Sequence, residues 1–443
     1  MSALVLLFLT GVAAALSGLW WPDRVTRNLT RLGLGLSLAL LVATGEESLF
    51  GGLLVLDPFA RALGAVGILG ALFASLVGGY RERPEYHSLL ALSAFGLVVM
   101  AASTHLVVIL LGLELLSLPL YVLVALRLDR RGGEAGMKYL VLGAVAAALY
   151  FYGVVLYFGA TGSLALGSVA EGPVFAAGIT LILVGLFFKA AMVPFSWWAP
   201  DVYQGAPTPV TLYMAAGVKA AAFAALARVV AAAGLGGVWA ATLALVVLLT
   251  VVYGNLAALA QGEAKRLLAY SSIAHAGYLA LALFGPEPGP ALGYYLLAYA
   301  LSTGLAFAVL AQVDRGEGVP IDALRGLIKR SPMLAGLLLL ALLSLAGLPP
   351  LVGFWGKYLA FVEAARGGQY ALLVVALLTA VVAAYYYLRL AAFAFFLPGE
   401  EGEAIEVRPI ASLTMGLVGF LILALGFFPG LIYNLSAGAK PLP

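Results

Sequence analysis

Five ionisable side chains lie inside long apolar stretches of the sequence. Glu114, Lys189, Lys219 and Lys357 each interrupt such a stretch, and His275 lies in another. An ionisable group at the centre of a membrane helix costs about 2.5–3.5 kcal/mol on the insertion scale, and such a group often marks a proton or ion pathway. Lysine and histidine take up and release protons, whereas the arginine guanidinium stays protonated. Side chains of these types at membrane depth therefore suit proton transfer.

Static ion pairs are the rival interpretation of the same residues. A buried glutamate can hold a buried lysine and join two helices without any role in transport. Here Lys189, Lys219 and Lys357 face a single buried glutamate, Glu114, so the lysines cannot all be paired at once. This excess of lysines favours proton transfer over anchoring. For His275, the rival interpretation is a hydrogen-bonded core histidine.

The composition indicates that these residues belong to a polytopic membrane protein. Hydrophobic residues make up 63% of the 443 residues and charged residues 10%, whereas a soluble domain carries about 25% charged residues. A water-soluble fold cannot hide that much apolar surface, which excludes a soluble enzyme, a disordered chain and a nucleic-acid binder. The chain has no cysteine, and its three histidines are far apart in the sequence. Disulfides, cysteine-ligated clusters and a metal-ligand spacing are therefore excluded.

Runs of about 20 mostly apolar residues predict membrane-spanning helices, and the sequence contains fourteen such runs. The runs are continuous rather than alternating, which excludes a β-barrel. The sequence therefore predicts an all-α membrane protein with about 14 transmembrane helices. The predicted spans are 2–20, 28–45, 59–79, 86–102, 104–126, 136–159, 174–198, 208–232, 237–260, 265–284, 291–312, 333–363, 370–396 and 410–434.

The distribution of lysine and arginine supports this number of spans. With the N-terminus outside, 16 basic residues fall on the inner side, 5 lie within spans or at their ends, and Arg228, Arg366 and Lys440 fall on the outer side. Because cytoplasmic connections are rich in Lys and Arg, this partition predicts that both termini lie outside. The inner residues are Arg24, Arg27, Arg31, Arg81, Arg83, Arg127, Arg130, Arg131, Lys138, Lys265, Arg266, Arg315, Arg325, Lys329, Arg330 and Arg408.

Proline and glycine interrupt two of the predicted spans, and each break has a lysine nearby. The seventh span breaks near Pro194 and the twelfth near Pro349 and Pro350, because proline cannot donate the helical hydrogen bond. The two broken spans are five spans apart, an odd number, so they cross the membrane in opposite directions. Corresponding broken helices in two inverted halves point to a transport pathway. The sequence thus predicts two inverted five-helix repeats with one broken helix each, rather than two unrelated kinks. The predicted segments are 1–80 (three helices), 86–232 (first repeat, spans 4–8), 237–396 (second repeat, spans 9–13) and 397–443 (span 14).

Other polar residues in or near the spans are predicted to have structural roles. Asp57 and Arg61 are one turn apart and are predicted to pair with each other. The run Tyr385–Tyr387 fits a packing or interfacial role.

The motifs around the buried charges resemble those of the antiporter-like subunit N of respiratory complex I. The resemblance rests on Gly112–Tyr121, which contains Glu114, on Pro194–Val210, on Lys265–His275 and on Gly353–Lys357. It covers nearly the whole chain, and the sister subunits M and L share the same plan. Subunit L continues into a long lateral helix after its last span, and subunit M has a glutamate at the position of Lys357. The resemblance therefore favours subunit N.

The resemblance implies a proton-translocating membrane subunit of NADH:quinone oxidoreductase in the bacterial plasma membrane. It implies that Glu114 and Lys189 form a coupled pair and that Lys219 is central. His275 would belong to a hydrated axis, and Lys357 would lie toward the exit. NADH, FMN, iron–sulfur clusters and quinone would be bound by other subunits, with no cofactor or metal in this chain. The expected partners are subunit M, the small subunits K and J, and membrane lipid, with no nucleic acid.

Two other functions compete with this interpretation. A subunit of a cation/proton antiporter complex would use the same fold without redox coupling, and the subunits that co-purify would distinguish the two. A membrane enzyme acting on lipid would need an acidic or nucleophilic cluster at the membrane surface. The only candidate is the acidic run Glu400, Glu401 and Glu403, which a solvated loop explains better.

Overall fold

The computed structural model describes residues 1–78, 83–234, 236–316, 318–399, 404–431, 433 and 438–441, so Arg81, Glu400, Glu401 and Glu403 lie outside the described residues. The described chain is mostly α-helical, with a hairpin of β1 (Glu47–Leu49) and β2 (Leu54–Leu56). Helices of the first half are α1 (Ser2–Trp20), α2 (Asp23–Ala43), α3 (Pro58–Val77), α4 (Pro84–Ala102), α5 (Leu106–Ala125), α6 (Arg130–Thr161), α7 (Pro173–Ala190), α8 (Trp198–Gly205), α9 (Thr208–Tyr213) and α10 (Lys219–Ala233). Those of the second half are α11 (Gly237–Leu259), α12 (Ala264–Leu281), α13 (Pro288–Val313), α14 (Leu327–Arg330), α15 (Pro332–Ala346), α16 (Val352–Arg366), α17 (Tyr370–Phe395) and α18 (Pro409–Phe427).

Twelve helical segments among the described residues are long and apolar enough to cross a membrane. They correspond to twelve of the fourteen predicted spans. The other two predicted spans are helical as well. One of them, α2, carries Arg24, Arg27 and Arg31 in its first half, and the other is divided between α15 and α16, of 15 residues each. The prediction of an all-α, multi-pass membrane protein is confirmed.

Local sequence explains where several helices begin. Asp57, Asp129 and Glu263 each precede a helix and accept a hydrogen bond from the backbone N–H three residues later, at 2.7, 2.7 and 2.6 Å. Side-chain oxygens at this position satisfy N–H groups that the first turn of a helix leaves unpaired. Proline occupies the first turn of α3, α4, α7, α13, α15 and α18, where its missing N–H is not needed.

Both predicted breaks are present, and their backbone hydrogen bonds match. α7 is terminated by Ala191 and α15 by Gly347, both in the left-handed conformation. The following residues, Met192 and Leu348, donate their N–H to the carbonyl five residues back, at 2.9 and 3.1 Å. Such caps satisfy carbonyl groups at a helix end that lies inside the bundle. The chain resumes as α8 after the first break and as α16 after the second.

The centre of the bundle is formed by two segments. The apolar core of Thr208–Ala233 is fully buried and that of Ala264–Phe284 nearly so, whereas only about a third of the apolar core of α6 and of α17 is buried. Between α9 and α10, Met214–Val218 forms a π-helical turn, a feature that often occurs at functional sites. A Cβ at Gly70 of α3 would lie 2.9 Å from the backbone of this turn, so only glycine allows that approach.

Several connections meet on one face of the bundle. The α5–α6 connection touches the α13–α14 connection there, because Arg127 donates to the Gly316 carbonyl. The α11–α12 connection joins them through backbone hydrogen bonds to the segment before α14. We call this the basic face, because Arg127, Lys138, Lys265 and Arg266 all lie on it.

Arg228 lies elsewhere than the sequence predicted. It is part of α10 rather than an outer connection, and its side chain is 0% exposed. Its Nη2 donates to Asp57 Oδ2 at 2.7 Å, and its other nitrogens donate to the carbonyls of Ala101 and Pro441 at 3.0 and 2.8 Å. Asp57 therefore pairs with Arg228 and not with Arg61, which donates to a backbone carbonyl. This ion pair joins α3 to α10 and holds residues near the C-terminus.

Candidate functional site

Lys189 lies in the last turn of α7, just before the first break. It is 5% exposed, and its Nζ donates to Ser117 Oγ at 2.7 Å and to Tyr139 OH at 3.0 Å. The ammonium also lies 5.3 Å from the centre of the Tyr139 ring, within the range of a cation–π contact. Because Ser117 belongs to α5 and Tyr139 to α6, Lys189 connects three helices.

Glu114 lies on α5, one turn before Ser117. No ion pair joins it to Lys189, whose Nζ is held by hydroxyl groups, so the predicted pair does not form as a direct contact. Glu114 Oε1 is buried and has no hydrogen-bond partner among the described residues. The residue is half-buried rather than fully buried, and the neighbouring Leu115 and Leu118 are exposed. Glu114 therefore lies between the Lys189 cluster and the lateral surface of the bundle.

Lys219 follows the π-helical turn at the centre of the bundle. It is 4% exposed, and its Nζ donates to the backbone carbonyl of Ser272 at 2.6 Å. The ammonium lies 5.5 Å from the centre of the Tyr299 ring. Ser272 belongs to α12 and Tyr299 to α13, so Lys219 connects the two predicted repeats.

His275 lies in the middle of α12 and is 2% exposed. Its Nδ1 is 2.9 Å from Tyr295 OH, and its Nε2 is 3.2 Å from Tyr387 OH. The Tyr387 hydroxyl also contacts Ser271 Oγ. The backbone carbonyl of Ser272, the next residue, accepts the hydrogen bond from Lys219 Nζ. Polar groups thus lead from Lys219 to His275. This arrangement suits a proton relay and also a hydrogen-bonded core histidine.

Lys357 lies in α16, after the second break, and is 5% exposed. Its Nζ donates to the carbonyl of Ala346, the last residue of α15, at 3.0 Å, and lies 5.3 Å from the centre of the Tyr278 ring. Lys357 therefore connects the two halves of the broken helix. Lys189 lies two positions before Ala191, the left-handed residue of the first break. Lys357 lies ten positions after Gly347, the left-handed residue of the second break. The two lysines are both near breaks, but they do not occupy equivalent positions.

Neutral partners surround all three lysines. Among the described residues, none of Lys189, Lys219 and Lys357 forms a salt bridge with a carboxylate, and each ammonium lies beside a tyrosine ring. A nearby opposite charge would favour the protonated lysine. Neutral oxygens bind the ammonium without fixing its charge in this way, so these lysines can act as proton carriers. No three metal-binding side chains come together in the described part of the chain.

None of the tyrosines near these groups was predicted to be a site residue. The buried tyrosines that contact the lysines or His275 are Tyr139, Tyr278, Tyr295, Tyr299 and Tyr387. Within the run Tyr385–Tyr387, Tyr385 is exposed, but Tyr386 and Tyr387 are buried and hydrogen-bonded, which goes beyond packing. Because a buried tyrosine hydroxyl usually has a hydrogen-bond partner, tyrosines inside apolar spans were the available signal.

Comparison with known proteins gives the family of the chain. Residues 103–383 match the family described as NADH:quinone oxidoreductase/Mrp antiporter, transmembrane. The chain belongs to this family. The matched segment contains Glu114, Lys189, Lys219, His275 and Lys357, so family membership rests on the part of the chain that holds the site.

Several of the similar proteins are named as subunits of NADH-quinone oxidoreductase. The chain is 51% identical to NADH-quinone oxidoreductase subunit 14 of Thermus thermophilus, over 98% of this chain and 99% of that protein. It is 42% identical to NADH-quinone oxidoreductase subunit N of Deinococcus radiodurans, over 98% of this chain and 95% of that protein. A chain in the structure of respiratory complex I from Thermus thermophilus with bound aureothin gives a TM-score of 0.91 at 50% identity, over 99% of this chain and 100% of that chain. The resemblance to subunit N is confirmed.

Proposed function

We propose that the chain is a proton-translocating subunit N of a bacterial NADH:quinone oxidoreductase. The observation that carries the proposal is the row of three buried lysines, each held by neutral oxygens, that crosses from α7 through the centre of the bundle to α16. The names of the relatives favour this function over a cation/proton antiporter complex. NADH, FMN, iron–sulfur clusters and quinone would be held by other subunits, and this chain would carry protons only.

Transfer along the row would begin at Lys189. A movement relayed from a neighbouring subunit would change the distance between the Glu114 carboxylate and the Lys189 ammonium. While the carboxylate is close, Lys189 keeps its proton, and when the carboxylate withdraws, the proton becomes easier to release. The proton would then pass to Lys219 and, through the hydroxyl groups around His275, to Lys357. Lysine and histidine suit this task because both exist in protonated and neutral forms.

Two inverted repeats would provide the two halves of this route. We place the first repeat at residues 86–232 and the second at 237–396, with 1–80 and 397–443 flanking them. The matching hydrogen bonds after Ala191 and Gly347 support this division. The basic face would be the cytoplasmic side, because lysine and arginine accumulate in cytoplasmic connections, and both termini would lie on the other side.

Glu114 would lie near a neighbouring subunit. The carboxylate is half-buried beside exposed leucines of α5, so a membrane subunit packed there would cover it. We assign the lateral contacts of the chain to the antiporter-like subunit M, to the small subunits K and J, and to lipid. Such a neighbour could move the Glu114 carboxylate, which is the coupling step described above.

Substitution of Lys219 tests the proposal. Lys219→Met removes the titrating nitrogen, and Lys219→Arg keeps the charge but does not release its proton. We expect both variants of the assembled complex in vesicles to translocate fewer protons per quinone reduced. Lys329→Met, at an exposed lysine of α14, is the control and should behave as the wild type. Wild-type translocation by Lys219→Arg would contradict the proposal, because charge alone would then suffice.

A further inference from the structure

A cavity of about 270 Å³ opens on the basic face between α6 and α8. Charged and polar side chains line it, among them Glu134, Lys138, Asp201 and Gln204. Two small residues, Ala135 of α6 and Gly205 of α8, also line it. Water can enter a cavity with this lining, because the polar side chains offer it hydrogen-bond partners.

The small residues separate this cavity from Lys189. A Cβ at Gly205 would lie 2.5 Å from the Cβ of Ala135, so α6 and α8 touch at this point. Tyr139 follows Ala135 on the same face of α6, about 6 Å further along the helix axis. Its hydroxyl accepts the hydrogen bond from Lys189 Nζ at 3.0 Å. One turn of α6 therefore separates Ala135, which lines the cavity, from Tyr139, whose hydroxyl binds the ammonium.

The short helix α8 covers this turn. Trp198 stacks on the Tyr139 ring with 4.7 Å between ring centres and 12° between planes, and its Nε1 donates to the Phe188 carbonyl at 3.0 Å. α8 has 8 residues and is separated from α7 by the first break. It can therefore move without bending a continuous helix.

Ion pairs of Asp201 fix the position of α8. One carboxylate oxygen is 2.9 Å from Lys138 Nζ of α6, and the other is 2.6 Å from Arg266 Nη1 of α12. Asp201 is one turn from Trp198, so the residue that covers Tyr139 and the residue that holds the helix move together. Both pairs are partly exposed, and such pairs contribute modestly to stability. Breaking these two pairs therefore costs little free energy.

We propose that Asp201 is a positioning residue for proton transfer, because its two ion pairs hold α8 and Trp198 closed over Tyr139 and Lys189. Movement of α8 away from α6 opens the cavity to Lys189 and admits water from the basic face. This inference rests on the proposed role of Lys189 as a proton carrier.

Neutralising Asp201 tests the inference in the complete complex reconstituted into lipid vesicles. Asp201→Asn keeps the shape of the side chain and removes its charge, whereas Asp201→Glu keeps the charge. We expect Asp201→Asn to dissipate an imposed pH gradient several-fold faster than the wild type without NADH, and to translocate fewer protons per quinone reduced. Asp201→Glu should restore both properties toward the wild type. The control is Asp322→Asn, which breaks an exposed ion pair with Arg325 at 2.6 Å and should change neither.

A second substitution shows whether the leak passes through Lys189. We expect Lys189→Met, added to Asp201→Asn, to return the leak to the wild-type rate. A leak that persists in the double variant, or a tight and fully pumping Asp201→Asn variant, would overturn the inference. Lys138→Met breaks the pair between Asp201 and α6, together with the exposed pair of Lys138 and Glu134 within α6, and leaves the pair with Arg266. It should leak in the same direction, which provides the test if Asp201→Asn does not assemble. Wild-type pumping by Lys189→Met alone would instead contradict the proposed function.

Discussion

The buried pair of Arg228 and Asp57 allows a stability prediction with a definite magnitude. The two side chains are 0% and 5% exposed, so removing one charge leaves the other buried without its partner. Breaking a buried pair in this way costs about 3–5 kcal/mol. In the native protein, Asp57 Oδ1 accepts a hydrogen bond from the Ala60 N–H at 2.7 Å. The side-chain oxygen of an asparagine at this position can accept the same bond. We therefore expect Asp57→Asn to lower the free energy of unfolding by about 3–5 kcal/mol through the lost charge alone.

A double-mutant cycle separates this effect from local packing. Asp57→Asn combined with Arg228→Met removes both charges, and we expect the double variant to lose much less stability than the sum of the single variants. The free energy of unfolding would be measured by denaturant titration of the purified protein in detergent micelles, followed by circular dichroism. Asp322→Asn is the surface control and should cost less than about 1 kcal/mol. An equally small cost for Asp57→Asn, or strictly additive losses, would show that the Arg228–Asp57 pair does not stabilise the fold.

Two further predictions concern a buried hydroxyl and a carboxylate outside the spans. Tyr139→Phe removes one of the two hydroxyls that hold Lys189, and a hydrogen bond to a charged group contributes about 1.5–3 kcal/mol. We therefore expect the assembled variant complex to translocate fewer protons per quinone reduced. Wild-type translocation would argue against a role for this contact. Burial alone would raise the pKa of Asp314, but the Thr208 hydroxyl at 2.5 Å and the nearby Lys265 ammonium lower the pKa below its usual value. The stability that Asp314 contributes is present above its unfolded-state pKa of about 3.9 and is lost as the pH falls through the lower folded-state pKa. The difference in unfolding free energy between the wild type and Asp314→Asn should therefore shrink below about pH 4, and a difference that stays constant on acidification would contradict this.

The spans and breaks could be predicted because they depend on local sequence. A run of apolar residues long enough to cross a bilayer is a property of the run itself, and Pro194 and Pro350 remove helical hydrogen bonds wherever they lie. The Arg228–Asp57 pair could not be predicted, because the two residues are 171 positions apart. The one-turn spacing predicted that Asp57 pairs with Arg61. Such spacing does not decide the partner of Asp57, because Arg228 approaches the carboxylate from another helix. The repeat boundaries stay a prediction.

Burial of the candidate lysines could also be predicted, because a charge inside an apolar run is visible in the sequence. Their partners could not, since Ser117 is 72 positions from Lys189 and Ser272 is 53 positions from Lys219. The absence of a direct ion pair between Glu114 and Lys189 could not be predicted for a related reason, and the coupling of the two residues stays a prediction. A sequence indicates the depth of a residue in the membrane, but the angle of each helix about its axis is set by packing between helices.

Replacing Lys357 by arginine shows whether the buried lysines act by losing and regaining a proton. Lys357 Nζ is held by the Ala346 carbonyl at 3.0 Å, and an arginine there would retain the positive charge and donate hydrogen bonds, but it would not deprotonate. The measurement is proton translocation per quinone reduced in vesicles that contain the complete complex, with assembly measured separately. We expect the assembled Lys357→Arg complex to translocate fewer protons per quinone reduced than the wild type. Equal translocation by the two complexes would show that Lys357 has a structural role and that its deprotonation is not required.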